Sequence, residues 1–460
     1  MRENINLNPL GSEKVSKLIG KFAVPSIIAM LVGAIYNIVD QFFIGQAVGT
    51  LGNAATNIAF PLATSCTALG LLFGIGGASS FNIAMGEKDE KRAAYYVGNS
   101  ITMLLVTGTI LCIVTLLFLK ELLIFFGSPD EVLGYAMTYV KVTALGFPFL
   151  IVTTGGGHLI RADGNPKMTM ICSLSGAVIN TVLDAVFVFG FQWGMFGAAL
   201  ATVIGQLFSG ILVITYIRRY RTIPIQKKHF FVRWIYITRI MSLGMASFFN
   251  QIAMMIVQVV MNKSLTYYGA LSEYGKAIPL ACAGIVTKVN QIFFSIVIGI
   301  AQGTQPIESY NYGAKNYHRV KEAYRLAILA SGVISIGSFL LFQTIPRQLI
   351  SLFGKGDEVY YKFGVNYFRI FLFFTCLNFL QPITSTFFTS IGKAYKGIFL
   401  SLTRQILFLL PLIAILPLYL GIDGIMYAGP IADFIAAVVA IVMAGLEFKK
   451  IGRLERQLEL

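Results

Sequence analysis

Residues 18–44 read LIGKFAVPSIIAMLVGAIYNIVDQFFI. No charge interrupts the run between Lys21 and Asp40, a length close to the ~20 residues that a bilayer core demands. Pro25 lies inside it, as membrane helices tolerate where a bend is useful. Similar apolar stretches recur near 54–82, 95–118, 133–160, 168–190, 195–217, 236–262, 277–304, 321–345, 360–390, 397–419 and 424–447. They are rich in Gly, Ala, Leu, Ile and Phe, and they lack the short alternating segments of an outer-membrane barrel. Of 460 residues, 56% are apolar and 12% charged, against roughly a quarter charged in a soluble domain, and the mean hydropathy is +0.74. The expected fold is all-α integral membrane, with twelve transmembrane helices.

The net charge of +15 would suit nucleic acid were it gathered on one domain, but it follows the loops instead. Placing the N-terminus inside gives the inner side Arg2, Lys14, Lys17 and Lys21, then Lys88, Lys91 and Arg92, the dense run from Arg218 to Arg239, Lys315 to Arg325, and Lys449 to Arg456. The opposite loops hold only Lys120, Lys263, Lys276, Arg347, Lys355 and Lys362. This bias predicts a multi-pass protein of the cytoplasmic membrane with both termini cytoplasmic; its expected partner is the lipid bilayer, not nucleic acid. The five cysteines fall inside spans without a Cys-x-x-Cys pair, and the three histidines are scattered. Neither a disulfide framework nor a zinc site is indicated. No phosphate-binding Gly-x-x-x-x-Gly-Lys-Ser/Thr loop is present, so any pumping runs without ATP hydrolysis by this chain.

The basic, Pro224-containing segment after the sixth span divides the chain into an N-lobe (1–217), a cytoplasmic linker (218–235) and a C-lobe (236–460). Shifted by 227 residues, the sequence meets itself at Gly76 and Gly303, Gly86 and Gly313, Lys88 and Lys315, Phe126-Gly127 and Phe353-Gly354, and Gly194 and Gly421. An even number of spans per half inserts both halves the same way. The two six-helix lobes are therefore expected to be related by a pseudo-two-fold along the membrane normal, with substrate between them near the midplane of a monomer.

The duplication throws into relief what is not duplicated. Asp40 in span one and Asp184 in span five have no acidic counterpart in the second half. An embedded acid is costly unless protonated, paired or solvated, so its default reading is functional. Asn37 precedes Asp40 by three residues and Asn180 precedes Asp184 by four, neighbouring positions on a helix face. Two carboxylates crowded in a low-dielectric pocket do not both ionise easily, which suits proton binding; the same oxygens suit Na⁺. A hydrogen-bonded pair that only locks two helices is the plainer alternative. Lys288 and Arg404, inside spans eight and eleven, are candidates for the cavity wall or for countering the acids, while Asp433 in span twelve has no assignable partner. Arg161, Asp163 and Lys167 fall in the loop between spans four and five, where gating contacts are expected.

The run Asn37-x-x-Asp40-x-x-Phe43-Ile44-Gly45, the segment Ile160-Arg161-Ala162-Asp163-Gly164-Asn165-Pro166-Lys167, and Asn180-x-x-x-Asp184 followed by Gly194-x-x-Gly197-Ala198-Ala199-x-Ala201-Thr202 resemble the multidrug and toxic compound extrusion (MATE) family, in its MepA-like bacterial branch. The resemblance covers nearly the whole chain. It implies a secondary active antiporter, not an enzyme, that exports organic, usually cationic and amphipathic drugs or toxic compounds in exchange for H⁺ or Na⁺, with no cofactor beyond that ion. It further implies an N-lobe ion site at Asp40, Asn180, Asp184 and Thr202, with Tyr139 nearby. NorM-type members place acids on span seven, but here that span carries Gln251 and Gln258 and no acid. Tyr36, Gln251, Gln258, Lys288 and Arg404 remain candidates for the cavity or its gate. The alternative within the same superfamily is a lipid-linked precursor flippase, for which Lys288 and Arg404 would supply a cationic wall. An intramembrane enzyme would need a nucleophile and base that the sequence lacks.

Overall fold

The computed structural model describes residues 8–352 and 356–459, and every regular element among them is a helix. Arg2, the repeat partners Phe353-Gly354 and the outer-loop Lys355 lie outside the described residues. Eleven helices are long and apolar enough to cross a membrane: α1 (Val15–Val48), α2 (Leu51–Gly86), α3 (Glu90–Leu117), α4 (Asp130–Ala162), α5 (Pro166–Gly190), α6 (Gly194–Ile217), α7 (Trp234–Ala270), α8 (Ala277–Gly313), α9 (Tyr317–Thr344), α11 (Ala394–Leu420) and α12 (Ile422–Gln457). The twelfth, α10, is a bent pair, Glu358–Phe371 and Thr375–Ser390, meeting at 41°. Where a single straight span was expected, Phe373 N and Thr375 N donate to carbonyls three residues back, Ile370 O and Leu372 O. Those tighter turns break the α-helical ladder.

α7 and α8 each run 37 residues, about 55 Å at 1.5 Å per residue. Both outrun the ~30 Å hydrocarbon core, and each continues about two turns past its expected end. Hydropathy falls where the sequence turns polar, at Asn262-Lys263 and after Thr304, but the helices persist. The chain thus forms an all-helical membrane fold of two six-helix lobes, and its backbone carries the repeat. Lys88 (φ 63°) and Lys315 (φ 58°) are both left-handed, as are Gly194 (φ 51°) and Gly421 (φ 59°). A left-handed lysine is uncommon; finding one at each repeat position marks two copies of one turn.

The lobes meet where α1 and α2 cross α8 and α7. A Cβ on Gly76 would fall 1.9 Å from Ile240 O, and one on Gly244 1.7 Å from Leu72 O. Only glycine allows that backbone approach, the means by which membrane helices gain close van der Waals contact. These crossings lie in the halves of the helices nearer the end at which α1 begins and α12 finishes. The segment between α6 and α7 is fastened at the same end: Asn99 of α3 donates to His229 O (3.2 Å) and accepts from Arg233 N (2.8 Å), and Thr102 donates to Phe230 O (2.8 Å).

Candidate functional site

Four helices of the N-lobe converge on the acids. α1 supplies Asp40 and Tyr36, α4 Tyr139, α5 Asn180 and Asp184, and α6 Thr202. The α5–α6 approach depends on small residues: a Cβ on Gly205 would lie 2.7 Å from Gly176 O and 3.1 Å from Asn180 Cβ. That closeness lets Asn180 Nδ2 donate to Thr202 Oγ1 at 3.2 Å, while Thr202 donates onward to Ala198 O at 3.0 Å. Asp184 is the last α-helical residue of α5 before a π-helical turn, Ala185–Gly190, a widening often found at functional sites.

Asp40, Asp184, Asn180 and Thr202 are all buried, Asp184 completely. Among the described residues, neither Asp184 oxygen has a hydrogen-bond donor, nor has Asp40 Oδ1 or Asn180 Oδ1. No lysine, arginine or histidine nitrogen lies within 4.0 Å of either acid among the described residues. Tyr36 and Tyr139 both face the Thr202 hydroxyl and lie within electrostatic reach of Asp40 and Asp184. Phe43, about one turn beyond Asp40, packs its ring at a tilt against Phe189 of α5 with centroids 5.4 Å apart. Buried oxygens without donors are rare because each costs its full desolvation. A cluster of them is an acceptor set that fits a proton or a hard cation.

Asn37 is not brought into this cluster. It is exposed, and its amide donates to Gly33 O of its own helix at 3.0 Å. The three-residue spacing puts it about 60° to one side of Asp40, whereas Tyr36, four residues back, stays on the acid's face. Gln251 and Gln258 are half-buried on α7, and Gln258 donates to Asn262 Oδ1 at 3.0 Å. Lys288 is half-buried and forms no ion pair among the described residues. Arg404 is instead committed: its guanidinium donates to Asp433 of α12, so it counters neither N-lobe acid, and Asp433 has the partner that its sequence did not disclose.

The α4–α5 corner also differs from expectation. Arg161 belongs to the last turn of α4 and is 3% exposed, its guanidinium 3.1 Å from His158 Nδ1 and 3.4 Å from Ser26 Oγ of α1. Asp163 accepts from Tyr216 Oη (2.7 Å), Arg221 N (2.8 Å), Thr222 N (2.9 Å) and the Thr222 hydroxyl. Burial pushes its carboxyl up against those donors. Across the lobe contact, Gln305 of α8 donates to Ser79 Oγ of α2 at 2.7 Å. Sequence reading missed Glu308, fully buried on α8 beside Ser390, because the expected span stopped short of it. Its signal was an acid on the same helical register as Gln305 and Thr304.

The MatE family model matches residues 25–186 and 245–415, the two repeats described above. The multidrug export protein MepA of Staphylococcus haemolyticus is 26% identical over 428 residues, covering 93% of this chain and 92% of that protein. MepA of Staphylococcus aureus is 25% identical over 433 residues, 94% of each. The structure of a MOP superfamily transporter from Pyrococcus furiosus superposes with a TM-score of 0.89 at 22% identity, over 96% of this chain and 98% of that one. With both lobes matched in register and nearly the full length aligned, the chain belongs to the MatE family of membrane transporters.

Proposed function

We propose that this chain is a secondary active efflux transporter of small organic compounds, cationic and amphipathic ones foremost, driven by inward exchange of H⁺ or Na⁺ at Asp40, Asp184, Asn180 and Thr202. The observation that carries the reading is the buried acid pair with donor-less oxygens and no neighbouring cation. Relatives named for multidrug export support the substrate class. Tyr36 and Tyr139 join the site through Thr202. Lobes 1–217 and 236–460 rock about their glycine crossings while the 218–235 linker stays with the N-lobe, and the monomer sits in the cytoplasmic membrane with both termini inside. In that orientation the glycine crossings close the path toward the cytoplasm. Ion entering the acid pair weakens the hold on substrate, and substrate weakens the hold on the ion, as linkage requires. A flippase reading loses half its cationic wall, since Arg404 is spent on Asp433.

Reconstitution into liposomes under an imposed pH or Na⁺ gradient tests this directly, with cationic dyes as cargo. Counterflow driven by one gradient is expected, while neither gradient driving any dye would refute antiport. Orientation is checked separately: in a cysteine-free background, Lys91→Cys should react only with reagents that reach the cytoplasm and Lys276→Cys only from outside.

A further inference from the structure

The strap between α6 and α7 joins two features that the transport cycle does not use. Its cations, Arg218, Arg219, Arg221, Lys227, Lys228 and Arg233, are all exposed, and none forms an ion pair among the described residues. The sequence offers them nothing nearby: no Asp or Glu occurs between Asp184 and Glu273. Beside them stands an apolar group outside the expected spans, Phe231, Val232, Trp234 and Ile235, with Trp234 71% and Ile235 75% exposed.

The strap is not loose. Asn99 and Thr102 hold the backbone of residues 229–233 against α3, Asp163 holds residues 221 and 222, and Arg233 lies over the Tyr95 ring at 4.4 Å. His229 and Ile223 face inward and are buried. The apolar group is therefore presented outward in a fixed pose, at the start of a helix that outruns the hydrocarbon core. Aromatic residues there belong at headgroup level, and a basic cluster beside them meets lipid phosphates. A nucleic acid would match the charge but leave the apolar group in water.

We propose that the 218–235 strap is a binding surface for anionic phospholipid, its cations holding headgroup phosphates while Phe231, Trp234 and Ile235 enter the acyl boundary. This surface is distinct from the ion site, and its binding of lipid does not depend on which ion drives transport.

The chain's two tryptophans make the test clean, because Trp193, between α5 and α6, and Trp234 sit at opposite ends of the molecule. Trp193→Phe protein is reconstituted in phosphatidylcholine carrying equal fractions of brominated phosphatidylglycerol or brominated phosphatidylcholine, leaving Trp234 as reporter. Brominated phosphatidylglycerol should quench it several-fold more strongly. Lys227→Gln and Lys228→Gln should each weaken the apparent affinity for phosphatidylglycerol about fivefold, the double substitution should abolish the quenching preference, and added salt should shrink it. Trp234→Phe protein, reporting from Trp193, should show no preference. Equal quenching of Trp234 by both lipids, quenching by neither, or a preference that survives the double lysine substitution would overturn the proposal.

Discussion

Each lobe buries a carboxylate at membrane depth, and the two are provided for differently. Asp433 of α12 meets the Arg404 guanidinium from α11. Among the described residues Asp184 of α5 meets no cation, and neither of its oxygens has a donor. In a low-dielectric interior a carboxylate needs a countercharge, a proton or a bound ion. Asp433 has a countercharge supplied by a side chain of the protein itself, so it has no need of an exchangeable one. Asp184, with Asp40 beside it, is left to a proton or a bound ion, the role proposed above for the exchanged ion. An embedded acid is thus read by what faces it rather than by its depth alone.

The largest expected effect comes from removing that exchange. Asp184→Asn should bring gradient-driven efflux to background while folded protein stays in the membrane and still binds substrate, since an amide imitates the protonated acid. Substrate affinity should then lose its dependence on pH or Na⁺. Should the double substitution Asp40→Asn with Asp184→Asn still pump, the asymmetry between lobes would carry no function, and Glu308 would become the leading candidate.

The converse holds across the molecule. Arg404→Ala strands Asp433 without its cation, and breaking a buried pair from one side costs about 3–5 kcal/mol. A clear drop in thermal midpoint is expected, with Asp433→Asn added to Arg404→Ala recovering much of it. Transport per folded molecule should stay within about twofold. Loss of ion coupling in the rescued double variant would show that the C-lobe pair is part of the pump and would erase the contrast.

Helix number and the repeat were legible because hydropathy and sparse glycines survive in a linear string. The duplicated left-handed lysines at 88 and 315 were visible as residues, although not as backbone. The acids were legible too, because an apolar run makes any charge conspicuous. What stayed hidden was partnership. Arg404 and Asp433 are 29 residues apart on adjacent helices, and no spacing rule joins them. Glu308 was hidden for the opposite reason, standing in a polar helix tail that hydropathy assigns to water although the fold buries it beside Ser390 and Tyr324 of its own lobe.

Smaller effects sharpen the site's edge. Thr202→Val removes the hydroxyl that accepts from Asn180 and faces both tyrosines, leaving the Asn180 amide without that acceptor. A net hydrogen bond is worth about 1 kcal/mol, so ion affinity should weaken roughly fivefold while transport persists at saturating ion. An unchanged ion dependence would remove Thr202 from the set.

The smallest effect separates two adjacent residues. Tyr36 and Asn37 are consecutive on α1, but one residue turns the side chain by about 100°. Tyr36 faces Thr202 and the acids, whereas Asn37 is exposed and bonded to its own helix at Gly33 O. Asn37→Ala gives up an exposed bond and gains helix propensity, so stability should change by less than about 0.5 kcal/mol and ion dependence not at all. Tyr36→Phe removes one oxygen from the cluster and should weaken apparent ion affinity severalfold. Ion titrations of transport in the two variants decide between helix face and sequence neighbourhood. If Asn37→Ala shifts the titration as far as Tyr36→Phe, α1 is rotated in the working protein relative to this structure, and the acid pair must be rebuilt around the amide that spacing alone suggested.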